Sequence, residues 1–208
     1  MRKLVVAAFI SLDGVMQAPG GSDEDASSGF RFGGWTWPYS DDATGDAVME
    51  LFAEPFELLL GRCTYDIFAA YWPNFQAGHP IADPFNKVRK YVATHNPQTL
   101  AWNNSHALKG DVASAVRALK QQDSGTLLTQ GSSDLVQQLL AAGLVDELQL
   151  QVFPLILGRG KRLFGDGSEP LAFALERSTR AGDGVLITRY VRNGEVRTGT
   201  IDEPGGSR

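Results

Sequence analysis

The chain is poor in the residues that build covalent staples and metal centres. Its 208 residues include one cysteine, Cys63, and three histidines, His79, His95 and His106. A single thiol excludes an internal disulfide and a thiolate metal cluster, and the three histidines are scattered, with no spacing that suggests a metal site. Long hydrophobic runs are missing as well. No stretch approaches the roughly 18 apolar residues that a membrane-spanning helix needs. The apolar run after Met1, Arg2 and Lys3 stops at Ser11 without the small-residue cleavage site of a signal peptide. There is no Lys/Arg run either, and a formal net charge of −5 argues against a surface that tracks nucleic-acid phosphates. What these absences leave is the expectation of a cytoplasmic globular protein acting on a small molecule, with no metal, membrane or nucleic-acid partner.

Hydrophobic residues make up 43% and charged residues 21% of the chain, enough apolar material for one sizeable core at this length. Strand-like and helix-like runs alternate, the pattern of an α/β fold with a mainly parallel sheet. Residues 4–10 are apolar throughout, as a central strand covered on both faces should be. Further strands are expected at 58–60, 90–94, 126–129 and the run leading to Pro154, with a last one over 184–191, antiparallel at an edge. Helices are expected over 41–54, ended by Pro55, from Tyr65 through Ala69, over 82–88, after the cap Asp111, and from Ser133 to the stop at Gly143. Residues 17–39 form a long segment rich in Gly, Ser, Asp and aromatics, and structureless loops of that length are often functional.

Two strand-to-helix corners draw attention together: Gly61, Arg62, Cys63 and Thr64, and Gln130, Gly131, Ser132 and Ser133. Small residues at a helix N-terminus leave backbone N–H groups unpaired where the helix dipole is positive, which suits a phosphate. In a parallel sheet both corners fall at the edge where α/β proteins bind ligands. The competing reading is that the glycines only relieve crowding and that Arg62 pairs with a surface carboxylate. Asp13, after the first strand, is placed to orient a substrate or relay a proton, although Asp13–Gly14 is also an ordinary turn. The loop of Gly158, Arg159, Gly160, Lys161 and Arg162 offers three cations that could meet a sugar phosphate or simply be solvated.

The segments VVAAFISLDGVM, LLLGRCTYDIF, LLTQGSSDLVQQLL and DELQLQVFPLILGRGKRLF, in this order, resemble the dihydrofolate reductase-like superfamily. The likeness is to the reductase domain of riboflavin biosynthesis proteins and its stand-alone relatives, and GFRFGGWTWPYSDD resembles the stand-alone group. The resemblance implies one domain over 2–192, with a polar tail at 193–208. It implies a three-layer sandwich with an eight-stranded, mostly parallel sheet and an antiparallel edge strand, assembled as a homodimer. It also implies NADPH, with NADH as the alternative. Gly61, Arg62, Cys63 and Thr64 would hold the cofactor phosphates, Gly131, Ser132 and Ser133 the pyrophosphate, and Thr94 and His95 the adenosine end. Asp13 would be catalytic, and Trp35, Gln151 and Arg159 would meet the substrate, with Trp35 and Trp37 on a closing lid. Asp41 and Asp42 fall near the acid of folate reductases, but the preferred reading is of helix N-terminal acids that interact favourably with the dipole. The activity implied is hydride transfer to a C=O or C=N carbon, as in 5-amino-6-(5-phosphoribosylamino)uracil reductase. A pterin or small-carbonyl reductase and a non-catalytic nucleotide-binding module are the alternatives. The zinc deaminase signature that accompanies the bifunctional enzymes, H-x-E with P-C-x-x-C, does not occur in this sequence.

Overall fold

The computed structural model describes residues 1–165 and 169–200. Its sheet is organised around β1 (Leu4–Ser11), whose run of apolar residues is buried along nearly its whole length. Parallel to β1 lie β5 (Thr126–Gln130) on one side and β6 (Glu147–Phe153) on the other. Beyond β5 come β2 (Phe56–Gly61), β3 (Lys90–Ala93) and β4 (Ser105–Ala107), all parallel. Beyond β6 the direction reverses at β8 (Val185–Arg192), and β7 (Phe173–Ala181) forms the outer antiparallel edge. The order across the eight strands is β4-β3-β2-β5-β1-β6-β8-β7.

The last strand is therefore antiparallel as the sequence implies, but it sits one place in from the edge. The edge belongs to β7, whose residues are mostly exposed.

Side chains alternate across β1, and each face gains its own layer of helices. Leu4, Val6, Ala8 and Ile10 pack with Leu127, Leu148 and Leu150 beneath α4 (Val112–Lys120) and α5 (Ser133–Ala141). Val5 and Ala7 face the other way, with Leu58, Leu60 and Leu128. They meet Tyr65 of α2 (Arg62–Tyr71) and Phe85 of α3 (Ala82–Lys87). The helix α1 (Asp42–Glu50) covers the same side, and its Thr44 carbonyl accepts a 2.9 Å hydrogen bond from Gln151 Nε2 on β6.

A third cluster, Val15, Ala18, Phe30, Trp35, Phe153, Ala181 and Val185, fixes residues 17–39 against the ends of β1, β6 and β8. That long segment is thus no open loop. Gln17, buried, donates through Nε2 to the carbonyls of Asp25 and Ser27 and accepts from the Lys161 N–H. Trp35 Nε1 donates to the Gln17 carbonyl at 2.8 Å. Of the polar tail over 193–208, residues 201–208 lie outside the described residues.

Candidate active site at the C-terminal edge of the sheet

Strands β1, β2, β3, β5 and β6 all end at one edge, which collects most of the residues singled out from sequence. The two corners meet there directly. Ser132 Oγ accepts from the Gly61 N–H at 2.9 Å, and Thr64 Oγ1 accepts from the Ser132 N–H at 2.9 Å. The approach is tight at both glycines, so a side chain at either would have to displace its neighbour by a few tenths of an ångström. A Cβ on Gly61 would lie 3.3 Å from Ser132 Oγ, and one on Gly131 would lie 3.1 Å from Thr64 Oγ1. Gly131 also has φ +66°, a left-handed backbone that the next residue, Ser132, shares at +60°.

This joining has a consequence for the helix ends. Ser132 precedes α5 and would ordinarily cap it, but its hydroxyl is turned to Gly61, so α5 has no side-chain cap. Gly61 precedes α2 and has no side chain to offer. By contrast, Asp41 caps α1 through a reciprocal box with Thr44, and Asp111 caps α4 by accepting from Ser114 N–H. The two helices that converge at the strand ends thus keep the first-turn N–H groups of Arg62 to Thr64 and Ser133 to Leu135 without side-chain partners among the described residues. Side by side, they form a donor set that fits a diphosphate.

Arg62 is largely committed. Its Nε meets both oxygens of Asp66, and its Nη1 donates to Thr94 Oγ1, the Asn96 carbonyl and Thr99 Oγ1 at 3.3, 3.2 and 2.6 Å. Arg62 thus pairs with a surface carboxylate, the competing reading of the sequence, and also ties α2 to the loop after β3. Its Nη2 has no hydrogen-bond partner among the described residues. Thr94 is half-buried and His95 exposed beside it. Cys63 is exposed as a residue in the first turn of α2, yet its thiol is partly shielded by its neighbours, and that partial desolvation pushes its pKa up, so it stays protonated at neutral pH.

Asp13 sits at the end of β1 as expected, but with little freedom. Its Oδ1 accepts from Ser11 Oγ at 2.6 Å and Leu157 N–H at 3.1 Å, and its Oδ2 from Gly158 N–H at 2.9 Å and Arg162 Nη2 at 3.2 Å. Four donors fill the acceptor sites of one carboxylate. Burial alone would raise the Asp13 pKa, but the bonds from Ser11, Leu157 and Gly158 outweigh it and hold the group below the usual carboxylate value. Asp13 is therefore an anion that organises the loop after β6.

The cations of that loop divide in the same way. Arg162 is bound to Asp13, and Lys161 Nζ pairs with Asp25 Oδ2 at 2.6 Å. Arg159 is exposed, and it lines a cleft of about 920 Å³ between residues 27–32 and 157–161, across which lie Arg31 and Phe32. Trp35 is buried with its ring edge-on to Phe153 at 5.3 Å, while Trp37 is exposed. Gln151 is buried on β6, and its Oε1, itself enclosed, has no hydrogen-bond partner among the described residues. Asp41 is the α1 cap, which agrees with its reading as a helix N-terminal acid. The sequence pattern passed over Arg31, Asp25 and the particular task of Lys161. Lys161 stood out only as one of three neighbouring cations, and nothing local distinguishes it.

Two curated relatives come from Bacillus subtilis (strain 168). The uncharacterized protein YyaP is 22% identical over 93% of this chain and 96% of its own length, and the uncharacterized protein YwjB is 24% identical over 92% and 98%. Among solved structures, a Shewanella sp. PV-4 protein assigned to riboflavin biosynthesis superposes with a TM-score of 0.62 at 21% identity, covering 92% of this chain and 99% of that one. A pyrimidine reductase-like protein from Corynebacterium diphtheriae superposes with a TM-score of 0.60 at 16% identity, covering 93% of each. At those identities the superpositions establish the fold. The family model of the RibD C-terminal domain matches residues 2–187, nearly the whole chain, and the protein belongs to that reductase-like family.

Proposed function

We propose that this chain is an NAD(P)H-dependent reductase that acts on a C=O or C=N carbon of a small phosphorylated heterocyclic substrate. Its nearest functional model is 5-amino-6-(5-phosphoribosylamino)uracil reductase. One observation carries the reading. Two uncapped helix N-termini are hydrogen-bonded side by side at the strand ends, through Ser132, Gly61 and Thr64. A bound reduced nicotinamide would supply the hydride. The chain's own residues bind and orient. The first-turn N–H groups of α2 and α5 receive the diphosphate, and Thr94, His95 and Arg62 Nη2 receive the adenosine end.

On the substrate side, Gln151 is enclosed with its Nε2 bonded to the Thr44 carbonyl, so it ties β6 to α1 and does not itself reach a ligand. Arg159 and Arg31, facing one cleft, suit a substrate phosphate. Asp13 holds Leu157 and Gly158 in place and remains ionised, so it acts as a positioning residue and not as the proton donor. Residues 17–39, pinned through Gln17 and Trp35, serve as a fixed wall of the site.

The test is loss of reduced-nicotinamide absorbance with a panel of substrates: the phosphoribosylaminopyrimidine, dihydrofolate, and simple aldehydes and ketones. Turnover of the phosphoribosyl compound, with the rate lowered by Arg159→Ala, supports the reading. Turnover of dihydrofolate alone would overturn the substrate assignment.

A further inference from the structure

The two walls of the cleft between residues 27–32 and 157–161 are tied to each other. Buried Gln17 donates through Nε2 to the carbonyls of Asp25 and Ser27 at 3.0 and 3.1 Å, next to one wall. Its Oε1 accepts from the Lys161 N–H of the other wall at 3.0 Å. Lys161 Nζ and Asp25 Oδ2, 2.6 Å apart, span the same gap through side chains. The cleft is thus preformed, and at about 920 Å³ it has the size of a small-molecule site, roughly 300–1,000 Å³. Its cations are unequally engaged. Lys161 is taken by Asp25 and the next residue, Arg162, by Asp13, whereas Arg31 and Arg159 have no carboxylate partner among the described residues. Beside Arg31 stands Phe32, 46% exposed and also lining the cleft. An aromatic side chain left half in water forgoes burial that a flat ligand restores. Phe32 is propped in place: buried Phe30 meets it edge-to-face with ring centroids 5.8 Å apart, and the Arg31 guanidinium carbon lies 5.9 Å from its centroid. Phe30 in turn packs on Gly160, where an added Cβ would come to 3.1 Å from its ring. One rigid cleft therefore presents an exposed ring and two guanidiniums without carboxylates.

We propose that Phe32 is a specificity-determining residue of this cleft, the platform on which the heterocyclic ring of the substrate stacks while its phosphate lies between Arg31 and Arg159. The proposal rests on the substrate reading above and deepens it by placing the ring. Ring and phosphate belong to one small molecule, because the groups that recognise them are neighbours along one wall. A ligand with a phosphate and no aromatic ring meets only the arginines. A ligand that carries both gains the stack as well. Were Phe32 only a packing residue, its removal would disturb the wall and weaken both kinds of ligand alike.

The experiment measures, by calorimetry, equilibrium binding of uridine 5′-monophosphate and of ribose 5-phosphate to the full chain and to Phe32→Ala, Phe32→Leu, Phe32→Tyr and Arg159→Ala. Wild type should hold the nucleotide about tenfold more tightly than the sugar phosphate, the range for one base stacked on an aromatic ring. F32A and F32L should lose that preference and leave ribose 5-phosphate binding unchanged, whereas F32Y, which keeps a ring, should retain it. R159A should weaken both probes about tenfold. A nucleotide preference that survives in F32A or F32L, or equal weakening of both probes in F32A, would overturn the proposal. So would nucleotide binding that R159A leaves unchanged. Binding of both probes to wild type with no preference for the nucleotide would overturn this proposal alone, and needs no variant to fold. Failure of both probes to bind wild type would overturn the placing of the substrate phosphate in this cleft, and this proposal with it.

Discussion

Ser132, just before α5, and Thr64, in α2, are joined at 2.9 Å by a bond from the Ser132 backbone N–H to Thr64 Oγ1. With the return bond from the Gly61 N–H to Ser132 Oγ, it locks the two strand-to-helix corners into one unit. Thr64→Val keeps the shape and removes the acceptor, stranding a part-buried N–H at a cost of about 1–3 kcal/mol. Denaturant unfolding should show that loss, and the affinity for NADPH should fall about tenfold, one charge-neutral contact's worth of misplacement. Unchanged affinity in a folded T64V protein would mean that the joint between the corners has no part in binding.

Gly131 offers a stricter test of the same corner. An alanine there must adopt φ +66°, costing about 1–2 kcal/mol for the left-handed backbone, and must also push Thr64 aside. Gly131→Ala should lower the melting temperature and abolish nucleotide binding. Gly14→Ala is the control. It has the same kind of backbone, at φ +78°, but open space around the added carbon, so its cost should be that of the backbone alone.

Asp13→Asn separates positioning from proton donation. The variant should bind NADPH normally and lose most of its turnover, because Leu157 and Gly158 are no longer held by a charge. The pH dependence has a definite sign. A carboxylate whose folded pKa is depressed adds stability above its ordinary value of 3.8, and that stability is lost as pH falls through the folded value. Wild type should therefore be more stable than D13N at neutral pH, and the gap should close below about pH 4 when both are followed by thermal unfolding. A gap that persists undiminished at low pH would contradict the ionised state assigned here.

Much of this arrangement was legible in the sequence, and the exceptions have physical causes. The corners at Gly61 and Gly131 announced themselves because glycine and hydroxyl residues between an apolar strand and an amphipathic helix form a local pattern. The strands β4 and β7 were not foreseen. The first is three residues long, and the second, FALERSTRA, lacks apolar alternation because most of its residues are exposed on the outer strand. Without β7 in view, the neighbouring strand looked like the edge. The task of Asp13 was hidden for another reason: its partners Leu157, Gly158 and Arg162 lie more than 140 residues away. The resemblance puts Trp35 on a closing lid, and only the fold shows its indole bonded to the Gln17 carbonyl within a packed cluster.

Lys90 gives a prediction far from the binding edge. It is fully buried on β3, its Nζ donating to the carbonyls of Val88 and Asn103 at 2.9 Å each and standing 4.3 Å from the Trp102 ring centroid. Burial pulls its pKa down from 10.5 to about 8. Between those values the unfolded chain holds the proton and the folded chain releases it, so stability should rise as pH climbs from about 8 to about 10.5. Lys90→Met lacks that group, and its stability relative to wild type should fall across the same window in urea unfolding. Parallel curves would contradict the shift.

The central claim is that the joined corners hold a nicotinamide dinucleotide, and the most direct measurement is a titration of the protein with NADPH and, separately, NADH. Tryptophan fluorescence, with energy transfer to the reduced nicotinamide, reports binding. Saturable quenching by NADPH is the predicted result, lost in Gly131→Ala; the NADH curve then shows whether Thr94, His95 and Arg62 read the 2′-phosphate. Failure of both nucleotides to bind a folded protein would contradict the account.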